Sequence, residues 1–261
     1  MDLSYWHRQT VEKALFPDIE WNKPEQKSRA GKLGIVGGNK LGFATVADAY
    51  TTALKTGAGE ARVLLPDVLK KNVPASMTDV QFAPTNLSGS LSTEASPELL
   101  ALGDWADVLL FIGDAGKNSQ TASLYEQFIL NYPKPIVLTR DAIDLVQNSM
   151  PALLDNTQLA LVASFAQLQK IFRSVYYPKI LTFSMQLSQL VDNLHKFTVT
   201  YPITIMTFHA DQLIIAHDGR VVSQFWDNPM TIWRGSVATK GATYLLWTPS
   251  KPLEAIAASL I

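Results

Sequence analysis

The sequence contains no cysteine in its 261 residues. A disulfide framework, a zinc site built on thiolates and a cysteine nucleophile are therefore all excluded. Charged residues are also scarce, at 17% of the chain, and the lysines and arginines are scattered rather than gathered into a stripe. Because nucleic acids and anionic membranes are recognised through dense positive charge, we expect neither as a partner.

Long apolar runs are missing as well. No stretch approaches the about 18 apolar residues of a membrane-spanning helix, and the first residues do not combine a basic segment with an apolar one, as a secretory signal does. We therefore expect a cytoplasmic protein. Apolar side chains nevertheless make up 47% of the chain, which is enough to bury a parallel sheet on both faces. The expected organisation is one domain over residues 1–261.

Short apolar strands alternate with segments of helical periodicity. The predicted strands are residues 32–38, 61–67, 107–116, 135–142 and 203–208, and the predicted helices include residues 44–56, 119–131 and 180–196. Such alternation predicts right-handed crossovers between parallel strands, and hence an α/β fold. Residues 4–15 also have helical spacing and predict an N-terminal helix, which is followed by an arm up to residue 30.

A hairpin and an aromatic cluster are predicted in the last quarter of the chain. Residues 212–224 form two β-rich halves around His217, Asp218 and Gly219, and an Asp-Gly pair is typical of a two-residue hairpin turn. We expect an antiparallel hairpin at an edge of the sheet. Four aromatic residues that follow it indicate core packing or a subunit interface, and thus allow a homo-oligomer. They are Trp226, Trp233, Tyr244 and Trp247.

Glycines at residues 37–42 separate a predicted strand from a predicted helix. Such a turn lets backbone N–H groups approach an anion at the helix N-terminus, so it could cradle a phosphate. The spacing is not that of a P-loop, because Phe43 and Ala44 stand where Lys and Ser or Thr are required. Residues 57–62 depart from the dinucleotide-binding pattern at its third glycine. A tight turn that needs a positive φ remains the alternative interpretation.

A second candidate site is the turn of residues 113–117, which follows an apolar strand. Ligands of open α/β sheets bind at this end of the strands, although an ordinary turn with a solvated Asp114 and Lys117 is the alternative. Three nearby or later carboxylates are candidate acids or bases, or else helix caps; they are Asp141, Asp144 and Asp211. No two of the four histidines (His7, His195, His209 and His217) have metal-ligand spacing, so we predict no metal site.

Taken in order, these segments resemble the ADP/ATP-dependent NAD(P)H-hydrate dehydratases, a carbohydrate-kinase-like family with the ribokinase-like fold. Residues 31–66 are similar to the opening of that family, in which a strand and a glycine pair lead to a helix ending in Gly-Ala-Gly. Residues 107–116 resemble its strand ending in Gly-Pro-Gly, and residues 135–146 its Asp-Ala-Asp-Ala segment. The resemblance runs from about residue 24 to the end. It implies a three-layer α/β/α sandwich with a mostly parallel central sheet and an antiparallel edge hairpin.

The resemblance also implies a chemistry and its ligands. Members of the family use a nucleotide to phosphorylate the hydroxyl of hydrated NADH or NADPH, and loss of the phosphate restores the cofactor. The implied ligands are ADP or ATP, Mg²⁺ and an NAD(P)H-type molecule. By position, the substrate would lie beside Ala44, Thr45, Gly113 and Ser164, and the nucleotide beside Thr207, Gly235 and Ser236.

Three motifs of the family are altered in this chain. Residues 163–167 stand in place of a Pro-His-Pro-Gly-Glu loop, and residues 207–211 in place of a Lys-Gly-x-x-Thr strand end. Residues 228–237 replace a glycine-rich motif, and its general-base aspartate falls on Val237. We therefore expect a nucleotide-binding relative with weak activity or none. The alternative is an active ADP- or ATP-dependent dehydratase in which Asp141 or Asp211 supplies the missing carboxylate.

Overall fold

The structure of the protein, a computed structural model, describes residues 3–261. Its strands are β1 Trp6–Gln9, β2 Lys32–Gly37, β3 Glu60–Pro66, β4 Val80–Ala83, β5 Val108–Gly113, β6 Ile136–Thr139, β7 Leu159–Ala163, β8 Thr204–His209, β9 Gln212–His217 and β10 Arg220–Phe225. Its helices are α1 Ala44–Thr56, α2 Ser96–Trp105, α3 Ser119–Asn131, α4 Asp141–Leu145, α5 Met150–Leu153, α6 Phe165–Ser174, α7 Leu187–Thr200, α8 Met230–Trp233, α9 Ser236–Trp247 and α10 Pro252–Ala258.

All ten of these strands belong to one sheet, in the order β1-β10-β9-β8-β7-β6-β5-β2-β3-β4. Neighbouring strands are parallel except at β8–β9 and β9–β10. The β9–β10 turn consists of Asp218 and Gly219, whose φ angles of 46° and 70° suit the two-residue turn of a twisted hairpin. The predicted hairpin is thus confirmed, but β1 covers its outer strand and forms the edge of the sheet.

Helices cover both faces of this sheet. Helices α2 to α7 pack on one face, and α1, α8, α9 and α10 pack on the other. Because both faces are covered, a central strand such as β5 is buried along its whole length and reads as an uninterrupted apolar run. The predicted three-layer sandwich with a mostly parallel sheet is confirmed. Among residues 3–261, no helix has the length and apolarity needed to cross a bilayer.

The predicted N-terminal helix over residues 4–15 is wrong, because Trp6–Gln9 form strand β1, parallel to β10. The side chains explain the difference. The Trp6 indole N–H donates to Ser223 Oγ at 2.9 Å, and the Gln9 amide donates to Gln224 Oε1 and to the Ala257 carbonyl, both at 2.8 Å. These contacts, together with the ladder, outweigh a local helical periodicity.

The other predicted helix and strand boundaries agree with the structure in some cases and differ in others. Helices α1 and α3 begin and end at the predicted residues. Helix α7 begins at Leu187 rather than near residue 180, because the Gln186 and Gln189 side chains form its N-terminal capping box. Upstream of it, Phe183 packs on Phe165 instead, with ring centroids 4.7 Å apart. Strands β4 and β7 were not predicted.

The C-terminal aromatic residues do not form one cluster. Tyr244 and Trp247 pack against each other, and the Trp247 indole donates to the Ala30 carbonyl at 3.0 Å, which fastens the N-terminal arm. Trp226 instead donates to the Asn228 carbonyl. Trp233 remains 46% exposed. Core packing therefore accounts for part of the set, and a homo-oligomer stays a prediction.

Candidate ligand cleft

A cleft of about 290 Å³ opens where the carboxyl ends of β6 and β7 face α8. The residues that line it are Thr139, Arg140, Asp141, Asp144, Val162, Ser164, Gln167, Ile232 and Trp233. Ligands of α/β sheets bind at the carboxyl ends of parallel strands, beside helix N-termini. The N-termini of α1 and α9 lie beside each other, since a Cβ on Gly235 would lie 3.3 Å from Thr45 Cγ2, and α9 begins three residues after Trp233, which lines the cleft.

The two glycine-rich turns predicted from the sequence meet at this edge. The Gly38 N–H, after β2, donates to the Gly113 carbonyl, at the end of β5, at 3.0 Å. Gly113 has a φ of 97°, and a Cβ there would lie 2.4 Å from Asp141 Oδ1. A side chain at position 113 would therefore force the turns after β5 and β6 apart.

Asp114 follows directly and uses both of its carboxylate oxygens. Its Oδ2 accepts a hydrogen bond from the backbone N–H of Thr45, at the start of α1, at 3.1 Å. Its Oδ1 accepts from Arg140 Nη2 at 2.6 Å. A carboxylate at a helix N-terminus is stabilised by the unpaired N–H groups of the first turn and by the helix dipole. Asp114 thus occupies the beginning of α1.

Arg140 connects this carboxylate to the opposite wall of the cleft. Its Nη1 donates to the Trp233 carbonyl, at the end of α8, at 2.7 Å, while Nη2 binds Asp114. Arg140 has φ 57° and ψ −139°, and Asp114 also has a positive φ, of 56°. A positive φ is uncommon for arginine, and the φ/ψ pair of Arg140 costs about 1–3 kcal/mol, whereas aspartate adopts a positive φ more readily. The guanidinium is therefore held in place between α8 and the turn after β5.

Asp141 has an unusual environment for a carboxyl group. Burial raises the pKa of Asp141, and the charge of Asp114 raises it further, whereas the hydrogen bond from Gly116 and the charge of Arg140 lower it. The Gly116 N–H donates to Asp141 Oδ2 at 2.9 Å. The other oxygen, Oδ1, is buried and has no hydrogen-bond partner. The balance favours the protonated form compared with an ordinary aspartate.

The turn after β7 is fastened to the turn after β6. The Ser164 hydroxyl accepts from the Gln167 N–H at 3.2 Å and caps α6. The Gln167 amide donates to the Arg140 carbonyl at 2.7 Å and to Asp144 Oδ2 at 2.9 Å. Asp144 also pairs with Lys170. Ser164 and Asp144 therefore line the cleft while serving as structural links.

The N-terminus of α9 differs from that of α1. Its N-cap is Gly235, with a φ of 79°, no side chain caps the helix, and no acidic residue lies in the first turn. The Ser236 hydroxyl donates to the Thr231 carbonyl instead. Val237 is only 2% exposed and packs into the apolar core. This helix end therefore presents backbone N–H groups with no carboxylate of its own beside them.

The structure brings most of the predicted site residues together. Ala44 and Thr45 begin α1, Gly113 ends β5 beside them, and Gly235 begins α9 next to Thr45. Ser164 lines the cleft, whereas Ser236 lines a separate pocket between α1 and α8. Thr207 is the exception.

Thr207 is 1% exposed in β8 and lies on the other face of the sheet, towards α6 and α7. It therefore does not line the cleft. The ligand roles of all these residues stay predictions.

Two residues of the site were missed. Asp114 lies in the second candidate turn, with a solvated carboxylate as the alternative, but Arg140 and Trp233 have no predicted role; the structure links all three. One signal was available: Asp114 and Arg140 each directly follow a buried strand of the sheet, and the carboxyl ends of parallel strands share an edge.

Among residues 3–261, no group of three or more His, Cys, Asp or Glu side chains is placed to hold a metal ion. Near the cleft, Asp114 is already bound to Arg140 and Thr45. Mg²⁺ that accompanied a nucleotide would have to be held mainly by phosphate oxygens and water, which is common for this ion.

Comparison with known proteins finds similarity in structure only. No family model and no curated protein matches the chain. A ribokinase-like superfamily protein from Enterococcus faecalis has a TM-score of 0.75 and 14% identity, covering 100% of this chain and 87% of that one. A hypothetical protein from Streptococcus mutans has a TM-score of 0.71 and 15% identity, with coverage of 93% and 84%. The fold is ribokinase-like.

An enzyme is also among the similar structures. An ADP/ATP-dependent NAD(P)H-hydrate dehydratase from Bacillus subtilis, co-crystallised with ATP and Mg²⁺, has a TM-score of 0.61 and 12% identity, covering 96% of this chain and 87% of that one. At this identity the likeness concerns the fold alone, because a ribokinase-like fold hosts several activities.

Proposed function

We propose that the protein is a nucleotide-binding relative of the NAD(P)H-hydrate dehydratases whose catalytic activity is weak or absent. The observation that carries the proposal is the N-terminus of α9, where a left-handed Gly235 begins the helix without a side-chain cap or an acidic residue. Backbone N–H groups at such a helix end are suited to bind a phosphate.

The surroundings of α9 support an extended ligand. The cleft beside α9 is lined by the guanidinium of Arg140, the hydroxyl of Thr139 and the half-exposed indole of Trp233. An indole offers a flat apolar face and a guanidinium offers N–H donors for a polar group, whereas the Thr139 hydroxyl already donates to the Val162 carbonyl at 3.1 Å. The similarity to a dehydratase co-crystallised with ATP and Mg²⁺ agrees with a nucleotide as the ligand.

The missing general base supports weak or absent phosphoryl transfer. By resemblance the base would stand at Val237, which is buried among apolar side chains. The carboxylate of Asp114 is committed to Arg140 and to the start of α1. Removing general-base catalysis commonly lowers a rate by about 10²–10⁴-fold.

One observation favours the alternative of an active dehydratase. Asp141 lines the cleft, and burial raises its pKa above that of an ordinary aspartate, a direction that favours a role as general acid or base. Asp211 has less support, because it lies exposed in the β8–β9 turn and does not line the cleft. Turnover of NADH hydrate or NADPH hydrate with ADP or ATP, lost in Asp141→Asn, would favour this alternative over the proposal.

The proposal is tested by thermal-shift titration with ADP, ATP, AMP, NADH and NADPH, each with and without Mg²⁺. A ligand that binds only the folded protein stabilises it by about 2.7 kcal/mol at 100 times its Kd. We expect a saturable increase in Tm with an adenine nucleotide. Absence of any shift with all five would contradict nucleotide binding.

A pair of matched variants locates the nucleotide. Ser236→Asp places a negative charge in the first turn of α9, which suits the helix dipole but repels a phosphate. Ser236→Asn has the same shape without the charge. We expect Ser236→Asp, and not Ser236→Asn, to lose the nucleotide-induced shift, and equal behaviour of the two variants would exclude the α9 N-terminus as the phosphate site.

A further inference from the structure

We infer that the Thr45 N–H and the Arg140 guanidinium form a subsite for an oxyanion group of the ligand, a carboxylate or a phosphate, and that Asp114 is an internal occupant which this group displaces. The inference rests on the proposed function, because it assigns a second anionic group to the ligand of the same cleft.

The first argument is the geometry of the Asp114 carboxylate. One oxygen accepts from Thr45 at 3.1 Å and the other from Arg140 at 2.6 Å, so a single oxyanion satisfies donors from two separate elements. A helix N-terminus and an arginine are the two groups that most commonly hold carboxylates and phosphates in proteins. An anion from solution would make the same two bonds.

The second argument is that the donors stay in place without Asp114. Arg140 is anchored to the Trp233 carbonyl at 2.7 Å, and its own carbonyl accepts from Gln167 at 2.7 Å. The Thr45 N–H is part of α1, and the Thr45 side chain is buried. If the Asp114 side chain rotates away, a guanidinium and a helix N–H therefore remain aimed at the same point.

The third argument is access. The side chains of Arg140 and Asp114 are 29% and 21% exposed, so solvent reaches the pair, and Arg140 lines the cleft. Their backbones are both in positive φ, which is uncommon for residues with side chains.

The test uses Asp114→Asn in the full chain. Asparagine tolerates a positive φ and carries no charge, and its NH₂ group replaces one of the two oxygens that accept from Thr45 and Arg140, so one of these bonds is lost in the observed geometry. Isothermal titration with inorganic phosphate and, separately, with acetate measures the opened subsite. We expect binding of at least one of them to become about ten-fold tighter than in the wild type, because charge-assisted bonds are released to it.

Two double variants test whether the tighter anion binding depends on the proposed donors. In Asp114→Asn/Arg140→Gln the gain should disappear, whereas in Asp114→Asn/Ser236→Asp it should remain, because the phosphate site at α9 is separate. Asp114→Gly, which suits a positive φ even better, replaces Asp114→Asn if the asparagine variant does not fold. The phosphate and acetate titrations together show which oxyanion the subsite prefers.

Two results would overturn the inference: no gain in a folded Asp114 variant, or a gain that survives Arg140→Gln. Either of these, with ADP binding intact in the wild type, leaves the proposed function standing. Conversely, a gain for phosphate or acetate in Asp114→Asn, without nucleotide binding to the wild type, supports the subsite and contradicts the proposed function.

Discussion

The N-termini of α1 and α9 lie side by side at the same edge of the sheet, yet they are completed differently. Helix α1 receives the carboxylate of Asp114 from a neighbouring turn, and Arg140 neutralises that carboxylate. Helix α9 begins at an uncapped glycine, with no acidic residue in its first turn. Both helix ends have unpaired backbone N–H groups. Those of α1 are met by a carboxylate of the same chain, whereas those of α9 are left for solvent or a ligand.

This difference shows why a motif alone does not define an anion site. The glycine-rich turn before α1 looks like a phosphate cradle, whereas the sequence before α9 has lost most of the glycines expected by resemblance. In the structure it is the second helix end that is open. Which anion site is available depends on whether a carboxylate of the same chain reaches it, and that contact joins residues far apart in the sequence.

The largest expected effect on stability comes from placing a carboxylate in the first turn of α9. Val237→Asp places the charge in the apolar core rather than beside the helix N–H groups, because residue 237 is buried against core residues. We expect a loss of about 3–5 kcal/mol in the free energy of unfolding, measured by urea denaturation. Val237→Thr, of equal shape, should cost about 1–3 kcal/mol. Equal stability of the two variants would show that position 237 can face the cleft.

The second largest effect on stability is expected from Arg140, which neutralises the carboxylate at the start of α1. Arg140→Met removes the bonds to Asp114 and to the Trp233 carbonyl and leaves Asp114 without its cation. We expect a loss of about 1–3 kcal/mol in unfolding free energy. Lys170→Met is the matched control, since it breaks only the more exposed pair with Asp144 and should cost less than about 1 kcal/mol. If both variants lose the same unfolding free energy, the bonds of Arg140 stabilise the fold no more than an exposed ion pair does.

The smallest effect is a pH dependence beside the α1 end. Burial raises the pKa of Asp141 in the folded protein above its unfolded value. The folded state then holds the proton more tightly, so this residue's contribution to stability is complete below the unfolded pKa and is lost as pH rises through the folded pKa. Asp141→Asn should therefore flatten the dependence of the urea midpoint on pH across the mildly acidic range.

Neighbouring charges should shift that pH window in opposite directions. Asp114 raises the pKa of Asp141 and Arg140 lowers it. Carboxyl titration of Asp141 by ¹³C NMR should consequently show a lower pKa in Asp114→Asn and a higher one in Arg140→Met. Unchanged titration in both variants would mean that the pair does not act on Asp141.

Much of the fold could be predicted because it depends on patterns among residues that are close in the sequence. The bounds of α1 and α3 follow from helical periodicity, and the β9–β10 turn follows from Asp218 and Gly219. Strand β1 could not be predicted, since its conformation depends on pairing with β10 and on the bonds of Gln9 to distant residues. Its own residues have a helical spacing.

The candidate site divides in the same way. Gly113 could be placed at the carboxyl ends of the strands because it ends a predicted apolar strand. Ser164 could be placed there because the resemblance puts it in a ligand-binding loop. The bridge from Asp114 through Arg140 to Trp233 could not, because it joins three turns whose distances are set by the packing of the whole sheet. Val237 shows the limit of resemblance: the resemblance places a valine where an aspartate is expected, but the burial of that valine could not be predicted from the sequence.

Strand β1 also has a consequence for the order of folding. Trp6 pairs with Val221, so β1, the first strand in the sequence, cannot pair until β10, the last strand, has been synthesised. Contacts of such large sequence separation carry the greatest loop-closure entropy and tend to form late. Until then the outer edge of β10 has an unpaired backbone, and such open edges recruit strands from other chains. The N-terminal segment therefore replaces the six-residue β10 at this edge of the sheet with the four-residue β1, and a shorter edge strand is less open to intermolecular pairing.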